Sequence, residues 1–437
     1  MVESMSQRRA EIRALARLAG DELGGAIDGI ATTHRAVSDH VFAAVSWGVG
    51  PAAKPFKVVH DAITFGVYRT VSGGAVAAGS VAELAAEVSA LPTPSRTVYG
   101  SGLIAALQGL IGDSLEQERP ILASPMTFRV DGEPVGADEI GAVVGNPRPR
   151  IVVFLHGLVE TEHAWRLGGR PSYAERLDSD LDRTTLMVRY NSGLHIADNA
   201  RQLDTLLHEL VANWPVEVEE IALVCHSMGG LIARGACHRA DSEQRGWVRR
   251  VRQIVCLGSP HLGAPLEQMA HHLSAALNQV PETRPFARLL RRRSAGIRDL
   301  RQGSLVDEDW QDLDADALRL KAIQEVPLLP GADHYFVTAS ITRSPRHPLG
   351  RIIGDGLVLP SSGSGRNRAR RIGFDDANGL HLPGANHFSL LNHESVYDAL
   401  LNWLDGKPTS ETAPIFGHSV PTVSRSMRNS AARASSV

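Results

Sequence analysis

The sequence predicts an α/β fold in which helices cover both faces of a mostly parallel β-sheet. Unalternated apolar runs at residues 150–155 and 221–225 are typical of strands that are buried on both faces. A helix-like pattern at residues 231–240 separates the second run from another such strand at 251–257. Strands that alternate with helices indicate parallel pairing, and a sheet of this kind binds ligands at the carboxyl ends of its strands.

The remaining elements follow from the same patterns. Asp131-Gly132 lies between two short strand-like runs and is a hairpin signal. The other expected elements are strands at 186–190, 334–341 and near 371–374, and helices at 196–211 and 394–404.

The chain of 437 residues is too long for one ordinary domain. We expect a helical region at residues 1–118, the α/β domain at 119–406, and a flexible tail at 407–437 that is rich in Ser, Thr and Pro. Between about 265 and 330 the strand–helix alternation stops, which predicts a helical cap inserted into the α/β domain.

The N-terminal region has two interpretations. Leu103, Leu107, Leu110 and Ile111 mark one face of an expected helix. The region either leans on the α/β domain as a helical unit, or forms an amphipathic surface that docks on lipid or covers the active site.

Composition excludes several classes of protein. The hydrophobic fraction of 43% is that of a globular protein. The net charge of −3 shows no excess of basic residues, which argues against a nucleic-acid-binding protein. The sequence shows neither a secretory signal nor a membrane span, so we expect a cytoplasmic protein. Nothing in it favours peripheral membrane contact, and it does not define the oligomeric state.

The three cysteines do not predict a metal site or a disulfide. Cys225, Cys237 and Cys256 are odd in number and lack metal-ligand spacing, so we expect them to be buried and reduced. The acidic stretch at 312–316 lacks the glycine and closing glutamate of a calcium loop. We therefore expect no metal and no other cofactor.

The stretch at residues 221–234 contains the candidate nucleophile, Ser227. It runs from an apolar strand, through a serine flanked by small residues, directly into a helical pattern. A sharp strand–turn–helix of this kind holds the serine hydroxyl exposed at the top of a sheet, close to backbone N–H groups.

A serine hydroxyl needs a base to take its proton, and the base needs a third group to orient it. Asp355, between two glycines, and His387, just before the last helix, supply these groups in the order Ser, Asp, His. His156, His226 and His261 are interpreted as structural histidines near the site. Alternatives to the acid and the base remain at Asp333, Asp375, Asp376, His381 and His393.

Five motifs occur in the order found in one superfamily. They are His156-Gly157-Leu158, His226-Ser227-Met228-Gly229-Gly230, Gly258-Ser259-Pro260-His261-Leu262-Gly263, Gly354-Asp355-Gly356-Leu357-Val358 and Asn386-His387-Phe388. Between about 126 and 404 the chain therefore resembles the lipase-like esterases of the α/β-hydrolase superfamily. The resemblance does not extend to the N-terminal helices or to the tail.

The resemblance implies a role for each site residue. Ser227 would be acylated, His387 would act as base and then as acid, and Asp355 would orient His387. The backbone N–H groups of Leu158 and Met228 would form the oxyanion hole. The usual first glycine of the elbow is replaced by Cys225, a larger residue, where strand and helix nearly touch.

These residues predict a serine hydrolase that cleaves carboxylic esters through an acyl-enzyme. The expected substrate is a small-molecule or lipid ester. Two alternatives remain: an acyltransferase or amidase that uses the same triad, and a non-catalytic scaffold whose helical region binds lipid or a partner.

Overall fold

The computed structural model describes residues 2–23, 92–264, 294–310, 324–344, 347, 350, 353–368 and 370–405. Most of the expected cap, at 265–293 and 311–323, lies outside these residues, as do residues 24–91 and the expected tail at 407–437.

A single sheet organises the described part of the chain, and its strands lie close to the expected positions. The strands are β1 (Thr127–Val130), β2 (Glu133–Val135), β3 (Arg150–Leu155), β4 (Thr184–Arg189), β5 (Glu220–His226), β6 (Val251–Leu257), β7 (Asp333–Ser340) and β8 (Gly379–Pro383). Their order across the sheet is β2-β1-β4-β3-β5-β6-β7-β8.

Pairing in the sheet is mostly parallel, as predicted. The six strands from β4 to β8 in the sheet order pair in parallel with one another. At the other end of the sheet, β1 pairs antiparallel with both β2 and β4. The β1–β2 hairpin turns at Asp131 and Gly132, which have φ values of 50° and 82°. Two consecutive positive φ values match the twist that a tight hairpin requires.

Helices follow most strands. They are α1 (Val2–Leu23), α2 (Val98–Glu118), α3 (Ile140–Val143), α4 (Tyr173–Asp180), α5 (Ile196–Asn213), α6 (Met228–Ser242), α7 (Ala295–Leu300), α8 (Pro360–Gly363) and α9 (Glu394–Leu404).

Both faces of the sheet are covered, because the unalternated strand β3 sends apolar side chains to each side. Val153 and Leu155 pack in one core with residues of α5 and α6. Val152 and Phe154 pack in the second core with residues of α4 and α9. Both cores are fully shielded from water at these positions. The predicted α/β architecture with helices on both faces is therefore confirmed.

The last strand lies later in the chain than expected. The run near 371–374 forms no strand; Arg371 makes only an isolated bridge with Arg366, and β8 supplies the edge instead. Gly373 has a φ of 102°, which interrupts the extended backbone that strand pairing needs.

The buried face of α2 also differs from the expectation. Leu110 is 46% exposed, whereas Ile104, Gly109, Gly112 and Leu115 are buried. The helix turns its small residues inward because glycine lets its backbone approach neighbouring loops closely. A Cβ added at Gly109 would lie 2.2 Å from Val159 Cγ1.

None of the described helices combines the length and apolar character required to cross a bilayer. Among the described residues there is also no cluster of three or more His, Cys, Asp or Glu side chains that could hold a metal ion.

Candidate active site

Ser227 occupies the turn between β5 and α6. Its φ of 50° and ψ of −119° are strained for a residue with a side chain, and its N–H donates to Leu257 O at 2.9 Å. Such strain at a strand–helix turn projects the side chain away from the sheet. Ser227 retains 9% exposure, whereas the following Met228 is fully buried.

The two glycines after the serine leave no room for side chains. A Cβ at Gly229 would lie 2.8 Å from both Leu155 O and His156 O. A Cβ at Gly230 would lie 2.1 Å from the Ser259 hydroxyl oxygen. The close approach of α6 to the ends of β3 and β6 therefore depends on these glycines.

The cysteines near the elbow are free and buried. Burial raises the pKa of the Cys225 and Cys237 thiols well above the usual range and that of Cys256 to about 12. A thiol held neutral in this way packs as a small apolar group. Cys225 thus fills the core where the elbow usually has glycine.

His387 and Asp355 form a buried pair. His387 Nδ1 lies 2.8 Å from Asp355 Oδ2, and the His387 N–H donates to the Asp355 carbonyl oxygen at 3.0 Å. Asp355 Oδ1 accepts the N–H groups of Leu357 at 2.9 Å and Val358 at 2.7 Å. Both oxygens of the Asp355 carboxylate therefore have partners, and the orientation of the His387 ring is fixed through Nδ1.

This pair changes the acid–base behaviour of His387. Burial alone would lower the pKa of His387, but the charge and the hydrogen bond of Asp355 outweigh burial and raise it above its usual value. The residue is consequently a stronger base than a free histidine.

The His387 ring lies beside the elbow. A Cβ on Gly258, the residue after Leu257, would lie 3.1 Å from His387 Nδ1. His226, the residue before the serine, has its ring centroid 4.7 Å from that of His387. The structure thus brings Asp355 and His387 to the strand edge that carries Ser227.

The two expected oxyanion residues flank the serine. Met228 begins α6, and Leu158 follows Gly157, where a Cβ would lie 3.0 Å from Ser227 Cβ. Within the described part of the chain, no backbone hydrogen bond outside the regular elements uses the N–H group of Leu158 or Met228. Both N–H groups remain candidates for an incoming negative charge.

Val159 continues this loop in an unusual conformation. Its φ is 58°, which is rare for a β-branched residue, and its N–H donates to the Ser192 hydroxyl at 3.1 Å. Its side chain packs against Gly109 of α2. An N-terminal helix therefore contacts the loop that carries an expected oxyanion residue.

His156 and His261 have the surroundings of structural histidines. His156 Nδ1 donates to Gly157 O at 2.8 Å, its Nε2 accepts the Tyr190 N–H at 3.3 Å, and burial lowers its pKa to about 4. His261 Nδ1 faces Arg234 Nη1 at 3.2 Å, and burial lowers the His261 pKa well below its usual range.

The alternative acids lie in other environments. Asp333 is exposed at the amino end of β7, opposite the edge that carries Ser227. Asp375 caps a short turn by accepting the Ala377 N–H, and exposed Asp376 pairs with Arg366.

The alternative bases also have other partners. His381 Nδ1 lies 2.9 Å from Thr338 Oγ1, and its Nε2 lies 3.2 Å from Ser340 Oγ. His393 caps α9, where its Nδ1 accepts the Ser395 N–H at 3.1 Å.

Glu160 is a buried carboxylate at the site that the sequence reasoning missed. Its Oε2 accepts the Gly157 N–H at 2.6 Å and lies 2.9 Å from His226 Nδ1. The available signal was an acid only four residues after His156, directly beyond the end of β3.

A family model described as "PGAP1-like alpha/beta domain" matches residues 178–325, about a third of the chain. The match spans β5, the Ser227 elbow and β6, which lie at the centre of the sheet described above. The chain has the α/β-hydrolase fold. The fold expected from the five motifs is confirmed.

Several lipases and esterases have structures similar to this chain. The mature Bacillus licheniformis lipase BlEst2 is 18% identical, with a TM-score of 0.40 and coverage of 60% of this chain and 95% of that one. The metagenomic carboxyl esterase MGS0156 is 16% identical, with a TM-score of 0.34 and coverage of 69% and 91%.

A third similar structure is phospholipase PlaB from Legionella pneumophila. It is 16% identical, with a TM-score of 0.35 and coverage of 59% of this chain and 63% of that one. A search of curated protein sequences found no significant match.

Proposed function

We propose that this α/β-hydrolase chain cleaves carboxylic esters through an acyl-enzyme formed on Ser227. The observation that carries the proposal is the buried Asp355–His387 pair beside a serine on a strained elbow. A packed core alone requires neither a strained serine nor an oriented, more basic imidazole next to it.

In the first half-reaction, Ser227 Oγ attacks the ester carbonyl carbon while His387 Nε2 takes the hydroxyl proton. The carbonyl oxygen becomes an oxyanion, for which the Leu158 and Met228 N–H groups are the proposed donors. The bond to the alcohol oxygen then breaks, and His387 returns the proton to the departing alcohol.

In the second half-reaction, water gives a proton to His387 and attacks the acyl-enzyme. The bond to Ser227 Oγ breaks, the carboxylic acid leaves, and His387 returns the proton to the serine. Asp355 keeps Nδ1 protonated throughout, which leaves Nε2 available for both transfers.

The decisive experiment replaces Ser227 by Ala and measures hydrolysis of short p-nitrophenyl esters. We expect kcat to fall by about 10⁴-fold or more with the fold intact. Ser172→Ala is the matched control, because Ser172 is equally an interior serine but caps α4. It should cost about 1 kcal/mol of stability and leave turnover unchanged.

A fluorophosphonate probe separates the proposal from the non-catalytic scaffold. We expect the probe to label wild-type protein at Ser227, with no labelling of Ser227→Ala. Folded wild-type protein that neither reacts with the probe nor turns over any ester would instead support the scaffold.

A further inference from the structure

Glu160 lies in a buried position directly behind the candidate oxyanion loop. Its Oε2 accepts the Gly157 N–H at 2.6 Å, and a Cβ at Gly157 would lie 2.9 Å from that oxygen and 3.0 Å from Ser227 Cβ. Gly157 is thus held between the Glu160 carboxylate and the nucleophile. A shift of this carboxylate would move the loop that presents the Leu158 N–H.

The same oxygen of Glu160 reaches the other side of the site through His226. His226 Nδ1 lies 2.9 Å from Glu160 Oε2 and donates to it, because an ionised carboxylate only accepts. His226 Nε2 lies 3.3 Å from the His387 carbonyl oxygen, which also only accepts, so Nε2 donates there when both ring nitrogens carry a proton. The side chain of His226 is fully buried, so its position is fixed by these neighbours.

We propose that Glu160 is a positioning residue that couples the oxyanion loop to the catalytic histidine, through Gly157 on one side and His226 on the other. The inference rests on the proposed hydrolase function. It assigns a role to a residue outside the Ser227, Asp355 and His387 set.

Charge supports the same role. Burial alone would raise the pKa of Glu160, but the adjacent His226 outweighs burial and lowers it, so the carboxylate is ionised. Among the residues that the structure describes, the charged or titratable groups that face His387 are Asp355, Glu160 and His226. After Asp355, the Glu160 charge contributes to the raised pKa of His387.

Glu162 provides a matched comparison two residues along the same loop. It is also buried, its pKa is also lowered, and it forms an ion pair with Arg189. Its partners lie toward β4 and the N-terminal region, since Arg189 also donates to Ser95 O. Replacing either glutamate removes a buried carboxylate from one loop, but only Glu160 contacts Gly157 and His226.

The test compares Glu160→Gln with Glu162→Gln in the full chain, using p-nitrophenyl butyrate. For Glu160→Gln we expect kcat to fall on the order of 10- to 100-fold while KM changes less than about threefold. We also expect the acidic limb of the kcat/KM profile to move to lower pH. Glu162→Gln should lower the melting temperature but leave kcat and the limb unchanged.

A third variant separates the effect of the Glu160 charge from the effect of its side-chain length. It also tests the proposal if Glu160→Gln does not fold. Glu160→Asp keeps the negative charge but shortens the side chain by one methylene. Its acidic limb should stay close to the wild-type position, while kcat falls because Gly157 and His226 are no longer held by one oxygen.

An NMR titration of the His387 ring gives a readout that requires no turnover. We expect Glu160→Gln to lower the pKa of His387 and Glu162→Gln to leave it in place. The inference is overturned if Glu160→Gln keeps wild-type kcat and limb, or if Glu162→Gln matches its losses. If the wild-type protein showed no turnover that depends on Ser227, only the proposed function would be overturned. The NMR titration of His387 would still decide the role of Glu160.

Discussion

The described residues contain two histidine–aspartate pairs, and one of them adjoins the candidate nucleophile Ser227. His387 Nδ1 lies 2.8 Å from Asp355, and His195 Nδ1 lies 3.1 Å from both carboxylate oxygens of Asp299. Both aspartates are almost fully buried, and each also accepts a backbone N–H group. The two pairs are similar in distance, although the His195 side chain is 16% exposed and the His387 side chain 3%.

The pairs differ in what surrounds them. The His195 ring stacks on Trp310 at 3.7 Å, and Asp299 accepts the N–H of Ile196 at the start of α5. Burial raises the pKa of Asp299 above its usual value, although its contacts with His195 and the Ile196 N–H oppose the shift. This pair closes the end of a helix, and its imidazole has an aromatic ring over one face.

The His387 pair instead stands at the strand edge that carries the strained Ser227. Its histidine gains basicity from its aspartate despite complete burial. The comparison teaches that the strained Ser227 beside the His387 pair, and not the histidine–aspartate contact alone, makes that pair the candidate for catalysis.

The largest effect that distinguishes the pairs should come from removing each carboxylate charge. We expect Asp355→Asn to lower kcat by about 10³- to 10⁴-fold, because the amide oxygen stays with the two backbone N–H groups that it accepts and the amide NH2 then faces His387 Nδ1, where it cannot accept a proton. Asp299→Asn should keep kcat within about threefold. Equal losses in the two variants, measured on one p-nitrophenyl ester, would erase the distinction.

The pH profile sharpens the comparison further. Because the pKa of His387 is raised, the base is protonated at a higher pH than a free histidine, and activity is lost as pH falls through that value. We expect a kcat/KM midpoint above the ordinary value of 6.5. Asp299→Asn should leave the midpoint in place; a wild-type midpoint below 6.5 would contradict the raised pKa.

Stability should respond more clearly to the pair that closes α5. We expect Asp299→Asn to lower the free energy of unfolding by about 1 to 3 kcal/mol, since one neutral amide oxygen replaces the two carboxylate oxygens that face His195 Nδ1 and the Ile196 N–H. Urea denaturation followed by circular dichroism measures this loss. An unchanged unfolding midpoint would show that the amide of Asp299→Asn stabilises the start of α5 as well as the Asp299 carboxylate does.

The smallest effect should come from α2, the helix that touches the candidate oxyanion loop at Val159. Gly109→Ala places a methyl group 2.2 Å from the stiff Val159 side chain, so we expect kcat to fall about threefold to tenfold. Gly102→Ala is the matched control on the same helix, where an added Cβ meets nothing within 4 Å. It should leave kcat unchanged; a similar loss in both variants would rule out an effect through Val159.

Much of the fold could be read from local patterns. The apolar strands and the Asp131-Gly132 turn are encoded by nearby residues, so periodicity and turn chemistry suffice to place them. Asp355 and His387 could be named because glycines and a helix start mark their positions, although 32 residues separate them.

The features that escaped prediction depend on contacts distant in sequence. Glu160 is significant only because His226, 66 residues later, is its partner. The buried face of α2 is set by loops near Val159 and Asn191 that its glycines can approach, which the hydrophobic pattern of the helix does not encode. β8 replaced the strand expected near 371–374 because Gly373 bends the backbone there.

The buried thiols have a practical consequence for chemical labelling. The chain contains three cysteines, and burial keeps the thiol of each one neutral and shielded from water. Because the thiolate is the nucleophile that attacks maleimides and iodoacetamide, the wild-type protein should give almost no background with either reagent. A Ser227→Cys variant would then carry a single addressable sulfur, so a spectroscopic reporter can be attached at the elbow without removing any native cysteine.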